Sequence, residues 1–266
     1  MSHITSCLMC QVSLFHELKW EQLFSLKPLE FDCLCVACRS NMLSFVRHEE
    51  SCTACGRTVP SDELKNFTPA AVGAKSPMCF DCMRWLEHYP ISYLKHEALF
   101  DYNESFKEWL YRYKYQADQR QRIVVSQQLH AFYKQWSSYQ WLVLPSSAKS
   151  LEERGFHATA SLLDAATIPY QMPFVYIGDG LKQAKKNRKD RVMMRQPFQL
   201  VKPELFKPSV NRWLIFDDIY TTGTTLLKAK TILYENWEVL GYPKNDLDVM
   251  SLSLARESNS KKPFED

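Results

Sequence analysis

The chain has 266 residues, of which 45% are hydrophobic, and its 33 Lys and Arg against 30 Asp and Glu give a formal net charge of +3. This balance excludes a polycation that binds nucleic acid by bulk attraction, so any anion binding has to come from local clusters. The first residues, MSHITSCLMCQ, lack a basic end followed by an apolar core, and no long apolar run follows, so we expect a cytoplasmic globular protein with no membrane insertion.

All nine cysteines lie before residue 83, and eight of them form four CxxC pairs. Two such pairs make one tetrahedral site for structural zinc, because the two-residue gap lets both thiolates face one ion. One pair alone is as typical of a buried or redox pair, but four favour two zinc ions and leave Cys33 as a spare thiol. Spacers of 24 and 23 residues favour consecutive pairing, with an interleaved cross-brace as the open alternative. The predicted ligands are Cys7, Cys10, Cys35, Cys38, Cys52, Cys55, Cys79 and Cys82.

The sequence pattern changes near residue 92 and predicts two domains. Residues 1–92 hold every cysteine and many turn signals, which is typical of a small zinc-binding module with little core of its own. Residues 93–266 alternate apolar and amphipathic segments. Their first clear element is an amphipathic helix, predicted from the helical spacing of Phe106, Trp109, Leu110 and Tyr113.

Strand and helix patterns then alternate. Short apolar runs predict strands at 141–145, 174–177, 213–216 and 248–255. Ser150 and Glu153 have capping-box spacing at the start of a helix predicted to run through Leu163, and 226–237 is the clearest helix. The alternation predicts an α/β fold with a mostly parallel sheet flanked by helices.

The segment LIFDDIYTTGTTL, residues 214–226, combines two acids with a Thr-rich turn. Asp217 and Asp218 follow an apolar strand at its carboxyl end, where open parallel sheets place their ligands. The backbone N–H groups of residues 222–225 then converge at the start of a helix, which suits a phosphate. Gly223 lets the chain approach the anion closely. The plain alternative is a helix capped by Asp and Thr.

The acids need a partner other than phosphate, which a carboxylate repels. A ribose diol offers two donors to them, and a divalent cation can share the charge. No GxGxxG or GxxxxGK[ST] pattern occurs, so the dinucleotide-binding and P-loop fingerprints are absent. The motif therefore predicts a site for a 5-phosphorylated ribose.

These residues resemble a known signature. FDDIYTTGTTL is similar to the phosphoribosyl-pyrophosphate motif of type I phosphoribosyltransferases. The chain as a whole resembles the ComF-type competence proteins of naturally transformable bacteria, and the resemblance covers nearly its full length. It is carried by the CxxC pairs, FKEWLYRYKYQAD at 106–118, LVLPSSAKSLEERGF at 142–156, RVMMRQPF at 191–198 and the motif at 216–226.

The resemblance implies roles for the matching residues. Asp217 and Asp218 would hold the ribose hydroxyls with Mg²⁺, the Thr-rich turn the 5-phosphate, and the loop 145–149 would lie near the pyrophosphate beside Arg154. His157 stands where the family usually has Asn. The implied phosphosugar-binding residues are Asp217, Asp218, Thr221, Thr222, Gly223, Thr224, Thr225, Arg154, Ser146, Ser147 and Lys149.

Two further segments are candidates for anion and nucleic-acid contacts. The polar stretch 182–195 carries seven Lys and Arg and one Asp, and as a long loop it can be a solvated surface, close over a pyrophosphate or contact a nucleic-acid backbone. In the segment 108–122, a helix would place Trp109 and Tyr113 on the apolar face, whereas Tyr111 and Tyr115 would lie on another face and can stack on bases. The basic candidates are Lys185, Lys186, Arg188 and Arg191.

Three functions follow from these features. By resemblance, the protein assists the handling of incoming single-stranded DNA in transformation, beside a ComF-operon helicase, and binds phosphoribosyl pyrophosphate or a related phosphosugar with Mg²⁺. The alternatives are a catalytically active phosphoribosyltransferase of nucleotide metabolism and a non-catalytic nucleic-acid-binding zinc protein with a relic pocket. The sequence identifies no catalytic residue and leaves open whether any reaction occurs.

Overall fold

The computed structural model describes most of the chain in nine continuous stretches and two single positions. These are residues 6–15, 20, 24, 32–44, 51–58, 65–67, 76–88, 94–178, 196–207, 209–243 and 246–257. The elements in chain order are α1 (Val36–Met42), β1 (Lys65–Phe67), β2 (Ser76–Met78), α2 (Phe80–His88), β3 (His96–Asp101), α3 (Glu104–Tyr115), a 3₁₀ turn (Gln119–Val125), α4 (Ser126–Gln135), β4 (Gln140–Val143), α5 (Ala148–Arg154), α6 (Ala158–Ala165), β5 (Phe174–Tyr176), β6 (Phe198–Leu200), a second 3₁₀ turn (Pro203–Leu205), β7 (Arg212–Tyr220), α7 (Thr224–Glu235) and β8 (Asp248–Arg256).

A four-stranded parallel sheet forms the centre, with strand order β3-β8-β7-β4. Strands β7 and β8 are almost entirely buried, as expected for parallel strands covered on both faces. Leu214 and Phe216 face one hydrophobic cluster, and Trp213 and Ile215 face the other. The predicted α/β class and the parallel sheet flanked by helices are confirmed.

The edges of the sheet differ from the prediction. Strand β3 was not predicted, because it begins with the polar pair His96 and Glu97 rather than an apolar run. Residues 174–176 do form a strand, but β5 pairs antiparallel with β6 in a separate two-stranded ribbon. The chain leaves the sheet after Gln171, which still bonds to β4, and Pro173 follows without an N–H group to continue the ladder.

The predicted single helix of residues 150–163 is two helices, so that prediction was wrong. Helix α5 begins earlier, with Ser147 as the N-cap whose hydroxyl accepts from the Ser150 N–H. It ends at Gly155, which adopts the left-handed conformation at φ 76° and so stops the helix. His157 caps α6 by accepting from the Ala160 N–H. The other two predicted helices are present as α3 and α7, although α7 begins two residues earlier than predicted.

Both cysteine-rich parts pack against the central sheet. Cys7, Leu8 and Leu34 share one hydrophobic cluster with α3 and α4. The segments around Cys52 and Cys79 share the cluster on the other face with α7. The cysteine-rich parts therefore bury their apolar side chains against the α/β layer. Within the described residues, no helix is long and apolar enough to cross a membrane.

Candidate functional site

A cavity of about 460 Å³ opens at the carboxyl edge of the sheet. All four strands contribute to it: Tyr102 follows β3, Glu257 follows β8, Ser146 follows β4, and the end of β7 supplies two acids. The cavity therefore lies at the edge where parallel sheets bind their ligands. Ten of the eleven phosphosugar-binding residues implied by the sequence line it, namely Asp217, Asp218, Thr221, Thr222, Thr224, Thr225, Arg154, Ser146, Ser147 and Lys149.

The two acids lie within the last four residues of strand β7, not after it. Asp218 accepts a hydrogen bond at Oδ1 from the Ile219 N–H (2.8 Å), and Asp217 Oδ1 accepts from the Asp218 N–H (2.9 Å). Both carboxylates border the cavity. They are fixed by their own backbone, so the cavity presents two preorganised oxygen-rich groups.

Lys114 is a cavity residue that the sequence analysis did not assign to the site. It projects from α3 and forms an ion pair through Nζ with Asp218 Oδ2. Burial alone would raise the pKa of Asp218, but the charge and hydrogen bond of Lys114, with help from Arg154, hold it below its usual value. The sequence offers little indication of this pair, because Lys114 lies in α3, 104 residues before Asp218 along the chain.

Asp217 has the opposite electrostatic environment. Burial and the negative charge of Asp218 raise the pKa of Asp217 to about 7, although Lys114 acts against this shift. Two adjacent carboxyl groups in one site push their pKa values apart in this way. A cation at Asp217 would relieve the repulsion, which makes the pair a suitable place for a divalent ion.

The turn of residues 221–225 links β7 to α7. Gly223 is the N-cap of α7, has φ 75°, and supplies no capping side chain to the first-turn N–H groups, which have no acceptor within the helix. The hydroxyls of Thr222 and Thr224 bond to each other at 2.9 Å. The turn thus combines helix-start N–H groups with hydroxyls at the cavity wall.

Gly223 itself does not line the cavity within the described residues. A Cβ atom on Gly223 would lie 2.3 Å from Tyr220 Oη. The positive φ and the close approach of Tyr220 both require glycine. The structure therefore gives an internal reason for this residue, in addition to the predicted approach to an anion.

The opposite wall is the start of α5. Ser147 caps that helix through its hydroxyl and also bonds to the Ser150 hydroxyl at 3.0 Å. Lys149 and Arg154 supply positive charge to the wall. An anion between the two walls would meet the N-terminal ends of α5 and α7.

The cysteines form two groups of four, Cys7, Cys10, Cys35 and Cys38 in the first and Cys52, Cys55, Cys79 and Cys82 in the second. The sulfurs of each group lie within 4.8 Å of one another, so each group can hold one metal ion. Four cysteines are typical of structural zinc, and the N–H groups of Cys38 and Cys79 point at Cys35 and Cys52 sulfurs, which suits thiolates. The consecutive pairing is the observed one. Cys33 is buried and belongs to neither group.

Comparison with known proteins places the chain in a family. It is 32% identical over 231 residues to Competence protein ComFC of Streptococcus pneumoniae, which is 86% of this chain and 93% of that protein. The chain belongs to the ComF-type competence proteins. It is also 28% identical over 245 residues to Competence protein ComFC of Bacillus subtilis, covering 88% of this chain and 90% of that protein. No family model matches the chain.

This ComF-type protein carries His157 where the family resemblance implied Asn. The His157 Nε2 atom bonds to the Leu144 carbonyl at 3.1 Å, and Nδ1 accepts from the Ala160 N–H at 3.2 Å. Burial lowers the pKa of His157, against the opposing effect of the hydrogen bond to the Leu144 carbonyl. The neutral ring therefore joins the end of β4 to α6 and does not line the cavity.

The aromatic candidates of this ComF-type protein lie within the described residues, whereas the basic candidates do not. Trp109 and Tyr113 are buried in the core as predicted, whereas Tyr111 and Tyr115 are 54% and 59% exposed and stack on each other with centroids 5.6 Å apart. Tyr115 also lines the cavity. The basic candidates Lys185, Lys186, Arg188 and Arg191 lie outside the described residues.

Proposed function

We propose that this protein acts in natural transformation, since its two relatives are named competence proteins, and that its cavity binds phosphoribosyl pyrophosphate or a related phosphosugar with Mg²⁺. The observation that carries the proposal is one cavity bordered by Asp217 and Asp218 on one strand and by the Thr222–Thr225 helix start beside them. The two parts offer oxygen acceptors and N–H donors, which are the chemical complements of a diol and a phosphate.

The phosphate half of the ligand would occupy the start of α7. The N–H groups of a helix start carry partial positive charge and lack partners within the helix. The Thr222 and Thr224 hydroxyls add donors, and Arg154 and Lys149 on the facing wall would neutralise the pyrophosphate.

The ribose half would lie over the two acids. Asp217 and Asp218 would accept from the ribose hydroxyls, and Mg²⁺ would be held by the same carboxylates and by ligand oxygens, since Mg²⁺ prefers oxygen ligands and is commonly bound through one or two carboxylates plus phosphates. Lys114, which pairs with Asp218, would then compete with the cation or turn to the phosphate. Bound Mg²⁺ would neutralise charge on the pyrophosphate.

The domain assignment is part of the same proposal. Residues 1–92 would form the zinc-binding module and residues 93–266 the phosphoribosyltransferase-like domain. The two groups of four cysteines support structural zinc in the first part, and the parallel sheet with its cavity supports the second. We place the protein in the cytoplasm, where a ComF-operon helicase would deliver single-stranded DNA to it.

DNA handling rests on a different observation. Tyr111 and Tyr115 are exposed and stacked on one helix face, and base-aromatic stacking holds single strands without reading sequence. Lys185, Lys186, Arg188 and Arg191 are the proposed backbone contacts. Tyr115 borders the cavity, so the strand would pass its mouth.

The test is equilibrium binding of phosphoribosyl pyrophosphate with Mg²⁺ to the wild type and to the Asp217→Asn, Asp218→Asn double variant. We expect binding that the variant loses. Equal binding by both, or none by the wild type, contradicts the phosphosugar site.

A separate titration tests the DNA proposal. Single-stranded DNA is titrated at two salt concentrations into the wild type and Tyr111→Ala, with Tyr111→Phe as the matched control that keeps the ring. We expect affinity to fall with salt and by about 1–3 kcal/mol in the Ala variant alone. Unchanged affinity in Tyr111→Ala contradicts the stacking face. Pyrophosphate release with a nucleobase would indicate the catalytic alternative.

A further inference from the structure

The second cysteine group lies next to the Thr-rich turn. Cys82 is in α2, and three residues later Trp85, 6% exposed, donates from its indole Nε1 to the Thr222 carbonyl at 2.9 Å. The carbonyl belongs to the turn whose threonines line the cavity. A ring on the same helix as a metal-ligand candidate therefore fixes one peptide of the turn.

A second contact runs from the same group to the other side of the turn. Arg256, buried at the end of β8, donates from an Nη atom to the Cys55 carbonyl at 2.6 Å. Its guanidinium lies 4.3 Å from the Tyr220 ring centroid. Tyr220 in turn occupies the space beside Gly223 that a Cβ atom would need. The cysteine group thus contacts the turn through Trp85 and through the Arg256–Tyr220 pair.

The first cysteine group contacts a different part of the molecule. Its flanking carbonyls at Leu8 and Met9 accept from Arg112 and Gln121, which belong to α3 and to the 3₁₀ turn after it. These hydrogen bonds lead to α3 and the 3₁₀ turn, whereas those of Trp85 and Arg256 join the second group to the Thr-rich turn and to β8. The two groups are therefore not equivalent in their relation to the cavity.

We infer that the second cysteine group, with Trp85 as the positioning residue, holds the Thr222–Thr225 turn in its anion-binding shape. The first group stabilises α3 and leaves the turn unaffected. The ligand consequence rests on the proposed function, but the positioning of the turn does not. When the group is loaded with zinc, α2 is fixed, and the indole of Trp85 keeps the Thr222 peptide oriented.

The experiment is amide hydrogen exchange of residues 222–227 in the ligand-free protein. Trp85→Phe keeps an aromatic ring and loses the N–H donor. Trp213→Phe is the matched control, because its indole also donates to a backbone carbonyl, that of Val210 at 3.1 Å, at the opposite end of β7. Zinc content is measured for all three proteins, so that loss of metal is separated from loss of the hydrogen bond.

We expect exchange about 2- to 10-fold faster in Trp85→Phe, the range that corresponds to one hydrogen bond, with two zinc ions retained and no change in Trp213→Phe. Exchange equal to wild type in Trp85→Phe overturns the inference. An equal acceleration in Trp213→Phe also overturns it, since the effect would then be general.

A second measurement needs no variant and covers the case in which Trp85→Phe does not fold. Replacing zinc by cadmium enlarges the metal site, and the amide resonances of Thr222–Thr225 are compared between the two metal forms. Shifts in these resonances support the coupling, and unchanged resonances overturn it. Titration with phosphoribosyl pyrophosphate then separates the two proposals. Failure of the wild type to bind refutes the proposed function, whereas the exchange and resonance results decide the positioning role.

Discussion

Lys114 Nζ and Asp218 Oδ2 form an ion pair at the cavity wall, with side chains only 17% and 8% exposed. The pair connects α3 to the end of β7, and the charge of Lys114 also acts on Asp217, the neighbouring acid. Asp218 is therefore held ionised, while the pKa of Asp217 rises to about 7 through burial and the charge of Asp218. Burial, the charge of Lys114 and the repulsion between the two acids thus give these adjacent carboxyl groups different proton affinities.

Removing the lysine charge should destabilise the fold. In Lys114→Met, the Asp218 carboxylate stays buried without its partner, so we expect a loss of about 1–3 kcal/mol in the free energy of unfolding at pH 7. The measurement is urea unfolding. Lys107→Met is the control on the same helix, because Lys107 forms an exposed pair with Glu104 and should change stability by less than about 0.5 kcal/mol. Equal losses in the free energy of unfolding for the two substitutions would show that the buried ion pair stabilises the fold no more than the exposed one.

The raised pKa of Asp217 predicts a pH dependence of stability. The folded protein keeps a proton on Asp217 up to about pH 7, whereas the unfolded chain releases it near pH 4. Folding therefore binds a proton between these values, and the contribution of Asp217 to stability falls as pH rises through this window, by at most about 1.4 kcal/mol per pH unit.

The measurement is urea unfolding of wild type and Asp217→Asn from pH 4 to pH 8 without Mg²⁺. Asn cannot titrate, so the stability of the wild type minus that of the variant should decrease with pH up to about 7 and then level off. A difference that is constant, or that grows with pH, is incompatible with a raised pKa.

The two left-handed glycines at the site offer a matched comparison. Gly155 has φ 76° with no atom within 4 Å of an added Cβ, whereas Gly223 has φ 75° with Tyr220 Oη at 2.3 Å. Gly155→Ala should cost about 1–2 kcal/mol from backbone strain alone. Gly223→Ala adds the clash with the buried Tyr220 ring and should cost about 2–4 kcal/mol. Thermal unfolding of both variants tests this, and equal costs would mean that Tyr220 moves away freely.

The two cysteine groups should differ in how readily they lose metal. All four residues of the second group are buried, whereas Cys10 is exposed and Cys35 and Cys38 are partly exposed. Elemental analysis of the reduced protein should find two zinc ions per chain, and a chelator should remove the first ion faster than the second. Cys33→Ser is the control that should retain both ions. Release of both ions at one rate, or loss of an ion in Cys33→Ser, would contradict these assignments.

Local sequence predicted the features that depend on neighbours along the chain. Residues only a few positions apart determine three of these features: the apolar run before Asp217, the Thr-rich turn and the CxxC pairs. The glycine in Arg154-Gly155-Phe156 was also a readable helix stop, and the prediction of one helix there missed it. The end of α5 was therefore knowable from sequence, unlike the contacts that follow.

Features that depend on distant residues were not accessible in this way. Strand β3 begins with His96, a polar residue that is buried because Ser251 and Ser253 of β8 bond to its ring. Lys114 reaches Asp218 only once α3 lies beside β7. Trp85 similarly meets Thr222 across 137 residues of sequence. These contacts form only in the packed fold, so no local sequence pattern predicts them.

A crystal structure grown with phosphoribosyl pyrophosphate and Mg²⁺ tests the proposed phosphosugar site atom by atom. We expect the 5-phosphate at the N–H groups of Thr222–Thr225 and the ribose hydroxyls within hydrogen-bond distance of Asp217 and Asp218. A ligand bound elsewhere, or bound in the cavity with its ribose turned away from both carboxylates, would contradict it.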